Sequence, residues 1–153
     1  MQPLAVKRTN STDTNFRKLV TELDQVLRQR NGEDMMDVYD QFNVIEKIDT
    51  VVIAYWNDEP VGCGCFKPFD NEAVEIKRMY VRDVYRGKGI SKALLATLET
   101  WAKELDYHFT VLETGTKQIE AISLYERYGY QRIPKYGPYI NLPDSICYRK
   151  QLL

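Results

Sequence analysis

A strand that runs through a glycine turn straight into an amphipathic helix leaves a chain few ways to fold, and residues 73–105 have that form. Ala73 to Val81 reads as a strand. Arg86-Gly87-Lys88-Gly89 makes a tight turn, and from Ile90 the residues Leu94, Leu98, Trp101, Ala102 and Leu105 fall on one stripe at helical spacing. Such a helix must lay its stripe on the sheet that holds the strand. The first N–H groups of a helix lack internal partners and sit at the positive end of its dipole, so a helix opened by small residues makes an anion site. Gly87 and Gly89 let a ligand approach the backbone. Arg86 and Lys88 can add the charge-assisted contacts that phosphate oxygens accept. The turn is not a Walker A loop, because Gly-x-x-x-x-Gly-Lys-Ser/Thr is missing, and no register of Gly-x-Gly-x-x-Gly closes either. The plain alternative is a glycine turn that only precedes a helix.

The flanking segments supply a sheet for that helix. A short strand is expected at Leu4 to Lys7. Phe16, Leu19, Val20, Leu23, Val26 and Leu27 then follow helical spacing, with Ser11, Thr12 or Asp13 as cap and Gly32 as stop. A second short helix is expected over Glu33 to Phe42. Thr50 to Trp56 and the run from Val61 to Phe69, joined by the turn Asn57 to Pro60, read as a β-hairpin. After the central helix come a strand at Phe109 to Glu113, a helix from Lys117 to Tyr128 stopped by Gly129, and strands at Tyr130 to Arg132 and Ser145 to Leu152. Hairpins first and a strand-helix-strand crossover later give an α/β (α+β) fold, a mixed central sheet of about six to seven strands with about four helices on both faces. With 153 residues and neither repeats nor linkers, one domain over 1–153 is expected.

Composition narrows the partners. The net charge is -1, with 44% hydrophobic and 28% charged residues, which fits neither a disordered tail nor a basic nucleic-acid binder. No apolar run approaches the ~20 residues of a membrane span, and the first residues lack a signal-peptide core. A cytoplasmic protein is expected. The charge is uneven: residues 1–75 hold 8 Lys/Arg against 14 Asp/Glu, a net of -6, and residues 76–153 hold 13 against 8, a net of +5. Much of the positive excess surrounds the glycine turn, where it can hold a polyanion or form a solvated face. Cys63 and Cys65, two apart on a strand, point to one face rather than forming a Cys-x-x-Cys turn. They and Cys147 read as reduced, apolar side chains. A lone His108 makes no metal site and no triad.

The junction resembles the GNAT superfamily of acyl-CoA-dependent N-acetyltransferases. Its signature is Arg/Gln-x-x-Gly-x-Gly/Ala, and Arg86, Gly89 and Ser91 stand in those three places, Ser91 replacing the usual small apolar residue. A second segment, LETGTKQIEAISLYERYGY from Leu112 to Tyr130, is similar to the family's later strand and helix with its Leu-Tyr-Glu-x-x-Gly-Phe/Tyr ending. The resemblance covers most of the chain and is weakest over the first 50 residues and after Pro134. It implies acetyl-CoA lying where two parallel strands, 73–81 and 109–113, splay apart. Backbone near Met79, Tyr80 and Val81 would pair with the pantetheine arm. Amides of Arg86, Gly87, Lys88, Gly89, Ile90 and Ser91 would hold the pyrophosphate. Gln118, where the family often has Asn, would be a further contact.

Acetyl transfer from a thioester to an amine needs an amine free of its extra proton, a donor for the carbonyl oxygen and a proton for the departing thiolate. By resemblance Tyr125 supplies that proton, against a plain role in core packing beside Ala121, Leu124 and Tyr128. For the base, Glu75 lies eleven residues before Arg86, the offset of the catalytic glutamate in histone-type members. Its alternative is an exposed strand carboxylate paired with Lys77, and alternation puts it on one face with Lys77 and Met79 unless the strand bulges. Glu113 is the second candidate, and a water relay the third. A backbone N–H near Met79 to Val81 would serve the carbonyl oxygen if a bulge lies there.

The acceptor implied is the primary amine of a small molecule or amino acid, attacked directly in a ternary complex, with no metal, nucleic acid or membrane involved. Asp34, Asp37 and Asp40 could attract it, and Tyr39, Tyr136 and Tyr139 could wall its pocket. The resemblance also admits a homodimer. Two rival classes remain: an acyl-CoA sensor or degenerate subunit that binds without turnover, and an unrelated nucleotide binder resting on residues 86–92 alone.

Overall fold

The computed structural model describes residues 3–31 and 47–153. Seven strands make one sheet: β1 (Leu4–Thr9), β2 (Val51–Trp56), β3 (Glu59–Pro68), β4 (Ala73–Val81), β5 (Phe109–Gly115), β6 (Gln131–Ile133) and β7 (Ser145–Gln151), in the order β1-β2-β3-β4-β5-β7-β6. Three α-helices accompany them among the described residues: α1 (Thr14–Asn31), α2 (Ile90–Glu104) and α3 (Ile119–Arg127). The helix expected at Glu33 to Phe42, with Asp34, Asp37, Tyr39, Asp40 and the stop at Gly32, lies outside the described residues.

Local chemistry accounts for the element ends. Asp13 caps α1, its Oδ1 accepting from the amides of Asn15 at 2.8 Å and Phe16 at 3.3 Å. The β2–β3 hairpin turns on Asn57 and Asp58, both at positive φ (48° and 69°), the two-residue turn whose twist suits the strands and whose residue types tolerate it.

Alternation along the strands builds two cores. Phe16, Leu19 and Val20 of α1 pack on Val51, Ile53, Cys63 and Cys65, while Leu94, Leu98 and Ala102 of α2 pack against Val52, Ala54 and Val74 on the opposite face. Each such leucine contributes roughly 2 kcal/mol or more by burial. Leu105, expected on the buried stripe, caps the end of α2 and is exposed, because the chain leaves the helix there in a left-handed turn at Asp106 (φ 69°). All three cysteines are free and buried.

Only β4 and β5 run parallel, and their pairing is brief: Ala73↔Phe109, Val74↔Thr110 and Glu75↔Val111. Beyond that point β4 stays on β3 as far as Gly62↔Val81, and β5 stays on β7 as far as Gly115↔Ser145. Each strand follows its outer neighbour, so the two part. A bulge sharpens the split: Cys65 pairs with Lys77 but Cys63 with Tyr80, leaving Arg78 (φ 61°) and Met79 opposite the single Gly64. A side chain on Gly64 would have no room, since its Cβ would stand 2.6 Å from Met79 Sδ.

The bulge corrects one expectation from alternation. Glu75 and Lys77 face the α1 side, but Met79 is turned to the α2 side and packs in the core of Val74, Ile76 and Leu98. Lys77 and Arg78, neighbours in sequence, both face α1, where Arg78 Nη1 meets Asp24 at 2.7 Å.

Candidate active site

The parted strands open a cleft of about 560 Å³. Its walls are Leu23, Leu27 and Arg30 of α1, Met79 to Val81 of β4, the turn and first residues of α2, and α3 from Gln118 to Tyr125. Two helix N-termini, those of α2 and α3, therefore meet at one opening. Neither carries a side-chain cap: Gly89 and Gln118 stand at the cap positions without a capping hydrogen bond. Their amide donors are left for a ligand. Gly87 and Gly89 both hold φ at 79°, a left-handed conformation that favours glycine, and nothing lies within 4 Å of where their Cβ atoms would be.

Charged side chains crowd this mouth. Arg86 Nη1 lies 2.7 Å from Asp83 Oδ1 and 3.3 Å from Glu120 Oε2, which sets its guanidinium between the turn and α3. Lys88 leans the other way, with Nζ 5.1 Å from the centre of the Trp56 ring, and is not among the cleft residues. Lys92, part of the basic cluster around the glycine turn, lines the cleft with Nζ over Tyr128. Arg30 closes the far side by donating to Gln118 Oε1. Gln118 Nε2 is buried and has no partner among the described residues.

Tyr125 is buried in α3, ringed by Tyr130 and Tyr148 at centroid distances of 5.6 and 6.3 Å. Packing thus holds its ring, as the plain reading expected. Its hydroxyl nevertheless has no protein partner among the described residues, and the side chain lines the cleft. Burial, followed by the nearby charge of Glu113, pushes its phenol well above the ordinary tyrosine value, so it keeps its proton.

On the α1 face, where the strands begin to part, a second polar group collects. Glu75 is buried rather than exposed; Oε2 accepts from the Tyr136 hydroxyl at 2.8 Å, and Lys77 Nζ stands 3.9 Å from Oε1. Glu113 of β5 accepts from Ser145 Oγ at 2.7 Å. Burial raises its carboxyl to about 7, with Ser145 and Lys77 opposing and Glu75 adding to the rise. Burial also lowers the Lys77 ammonium, against the pull of Glu75.

Residues 16–130 match the model of the acetyltransferase (GNAT) family. The chain belongs to that family. Among curated proteins it is 28% identical to an IAA acetyltransferase of Azospirillum brasilense, over 99% of this chain and all of that one. It is 32% identical to the uncharacterized N-acetyltransferase YsnE of Bacillus subtilis, over 71% of this chain and 76% of that protein. Among solved structures, a proposed acyl-CoA N-acyltransferase from Klebsiella pneumoniae is 28% identical and superposes with a TM-score of 0.82 over 98% of each chain. A GNAT family acetyltransferase from Elizabethkingia anophelis with acetyl-CoA bound, 22% identical over 99% of this chain and all of that one, shares the fold at a TM-score of 0.70.

As a GNAT acetyltransferase the chain transfers acetyl groups to amine acceptors, and its cleft fits acetyl-CoA on grounds of its own. Uncapped helix starts and cationic side chains suit a pyrophosphate, and the unpaired Gln118 Nε2 offers a buried donor. The stretch of β4 beyond Glu75, unpaired on its β5 side, suits an amide-bearing arm. The place of Arg30 and Leu27 at the cleft escaped the sequence reading for one reason: nothing in a charged or apolar helix residue says which strand gap it will face.

Proposed function

We propose that the enzyme transfers acetyl from acetyl-CoA to the primary amine of a small molecule by direct attack in a ternary complex. The observation that carries this reading is the unpartnered Tyr125 hydroxyl on the cleft wall, with the carboxylates Glu75 and Glu113 at the point where β4 and β5 part. The family resemblance supports the same assignment. Met79, Tyr80 and Val81 line the pantetheine path, and Arg86, Gly87, Gly89, Ile90 and Ser91 line the pyrophosphate cradle. Lys88 sits at its rim, where its amide, not its side chain, faces the phosphates. Gln118 donates from the far wall.

The chain's residues then divide the proton work. A carboxylate on the α1 face takes one proton from the acceptor ammonium and passes it to solvent. As the C–N bond forms and the C–S bond breaks, Tyr125 gives its proton to the leaving sulfur, and the second proton lost by nitrogen restores the phenol. A backbone N–H released by the bulge at Arg78 and Met79 faces the developing charge on the carbonyl oxygen. Acetyl-CoA, when bound, supplies the activated acyl carbon.

The edge-on rings of Phe69, Tyr136 and Tyr139 beside Glu75 offer an aromatic wall on the acceptor side, which suits a compact amine. Calorimetric titration with acetyl-CoA, run beside ATP and NAD at one salt concentration, should show micromolar-scale binding of acetyl-CoA alone. A panel of small amines, amino acids and lysine peptides scored by thiol release should then give its fastest turnover with a small amine. Equal binding of ATP, or thiol release only with peptides, would overturn the reading.

A further inference from the structure

Two carboxylates stand where a single proton must be taken, and their surroundings differ. Both oxygens of Glu75 are engaged, Oε2 by the Tyr136 hydroxyl at 2.8 Å and Oε1 by Lys77 Nζ at 3.9 Å. Glu113 is half-buried, and its Oε2 accepts from Ser145. Its Oε1 has no protein donor among the described residues. Tyr136 comes from the loop between β6 and β7, far from β4 in sequence, and is wedged edge-on against Phe69 at 4.8 Å and Tyr139 at 5.6 Å between ring centroids. Among the described residues the acceptor its hydroxyl meets is Glu75.

Building on the transferase reading, we infer that Tyr136 is a positioning residue that divides labour between the carboxylates: by donating to Glu75 it fixes that side chain as the standing anion with Lys77 as counter-ion, and it leaves Glu113 Oε1 to take the acceptor's proton. The groups facing Glu113 are Glu75 and Lys77 from β4, Ser145 and Cys147 from β7, and Tyr125 from α3. Of these only Glu75 carries a like charge. That like charge helps Glu113 to hold its own proton, so taking it away should let the proton go at lower pH. The Tyr136 phenol is itself pushed up by burial and then by the charge of Glu75, which keeps it a donor at every working pH. Glu113 also stands between the two halves of the site, close enough for its charge to act on Tyr125 at the cofactor cleft.

The test reads the carboxyls directly and needs no acceptor. Protein labelled with carbon-13 at the glutamate carboxyls is titrated by NMR, with Glu75→Gln and Glu113→Gln assigning the signals. One carboxyl should titrate near neutrality, vanish in Glu113→Gln, and persist at a lower midpoint in Glu75→Gln. Tyr136→Phe should lower that midpoint by about half a pH unit, because the Glu75 charge is no longer held in place beside Glu113. With the fastest amine of the panel, Tyr136→Phe should reduce kcat about tenfold while KM stays within twofold, and the acid limb of the pH profile should move with the Glu113 midpoint. If Tyr136→Phe leaves the Glu113 midpoint and the profile in place, Tyr136 is only a wall and the inference fails. It fails equally if the neutral-range signal vanishes in Glu75→Gln. Acetyl-CoA binding and thiol release on the same unsubstituted sample test the underlying reading separately, and their absence in folded protein would remove that reading and this inference together.

Discussion

A single hydroxyl decides what Tyr125 is for. Its ring is buried, but the side chain lines the cleft and the hydroxyl meets no partner among the described residues, which leaves it for a ligand. Tyr125→Phe should therefore leave acetyl-CoA affinity unchanged within twofold in calorimetry and lower kcat by about 100-fold. Glu113 makes the complementary case, because its raised carboxyl links stability to pH. A carboxyl at about 7 in the folded state and near 4.5 in the unfolded chain binds its proton more tightly when folded. Its folded-state penalty is absent below about pH 4.5, grows as pH rises and is complete above 7. Glu113→Gln should accordingly raise the unfolding free energy at pH 8 by an amount on the order of 3 kcal/mol, seen as a higher melting temperature, and leave both unchanged at pH 4.5. A uniform shift at both values would mean that the carboxyl is not held in this way.

At the scale of elements, the turn between β4 and α2 was legible because its chemistry is local. Glycines at positive φ, an uncapped helix start and an apolar stripe are all written within about twenty residues. Gly89→Glu tests it: the left-handed backbone adds about 1 kcal/mol of strain, and the carboxylate occupies the place proposed for phosphate. Acetyl-CoA affinity should fall more than 100-fold while the circular dichroism spectrum stays that of the folded protein. Retained affinity would dismiss the cradle. The bulge in β4 was not legible in the same way. Arg78 at φ 61° is an unusual conformation for an arginine, and it is imposed from outside, by Gly64 across the ladder and by the ion pair with Asp24 on α1. With it went the face of Met79, which simple alternation assigned wrongly.

For the whole molecule, the imbalance of charge between the two halves of the sequence is resolved by packing. Acidic residues of α1 meet arginines in and just after β4: Glu22 with Arg82 at 2.9 and 2.8 Å through its two oxygens, and Asp24 with Arg78 at 2.7 Å. Further pairs join Arg8 to Glu104 and Arg30 to Glu120. The Arg82 hydrogen bonds hold the Glu22 carboxyl below the usual range against the cost of burial. Its contribution is thus fully present above the unfolded value near 4.5 and is lost as pH falls through the lower folded value. Glu22→Gln should cost roughly 1–2 kcal/mol in urea unfolding at pH 7, and the difference from the unsubstituted protein should shrink below pH 4. Since α1 also walls the cleft, the same change should weaken acetyl-CoA binding only slightly.

The sequence by itself determined most of the described strands and helices and the glycine turn before α2, because periodicity, capping and turn chemistry act between residues a few places apart, while Tyr125 and the parallel pair were singled out through the resemblance to the family. What only the tertiary structure decided was every relation between distant segments: where β4 and β5 stop pairing, which carboxylate is met by Tyr136 from 61 residues away, which cations turn toward the cleft and which away. Those outcomes depend on sheet twist, on the bulge and on which partner reaches a buried charge first, and such long-range contacts leave no local trace in the chain.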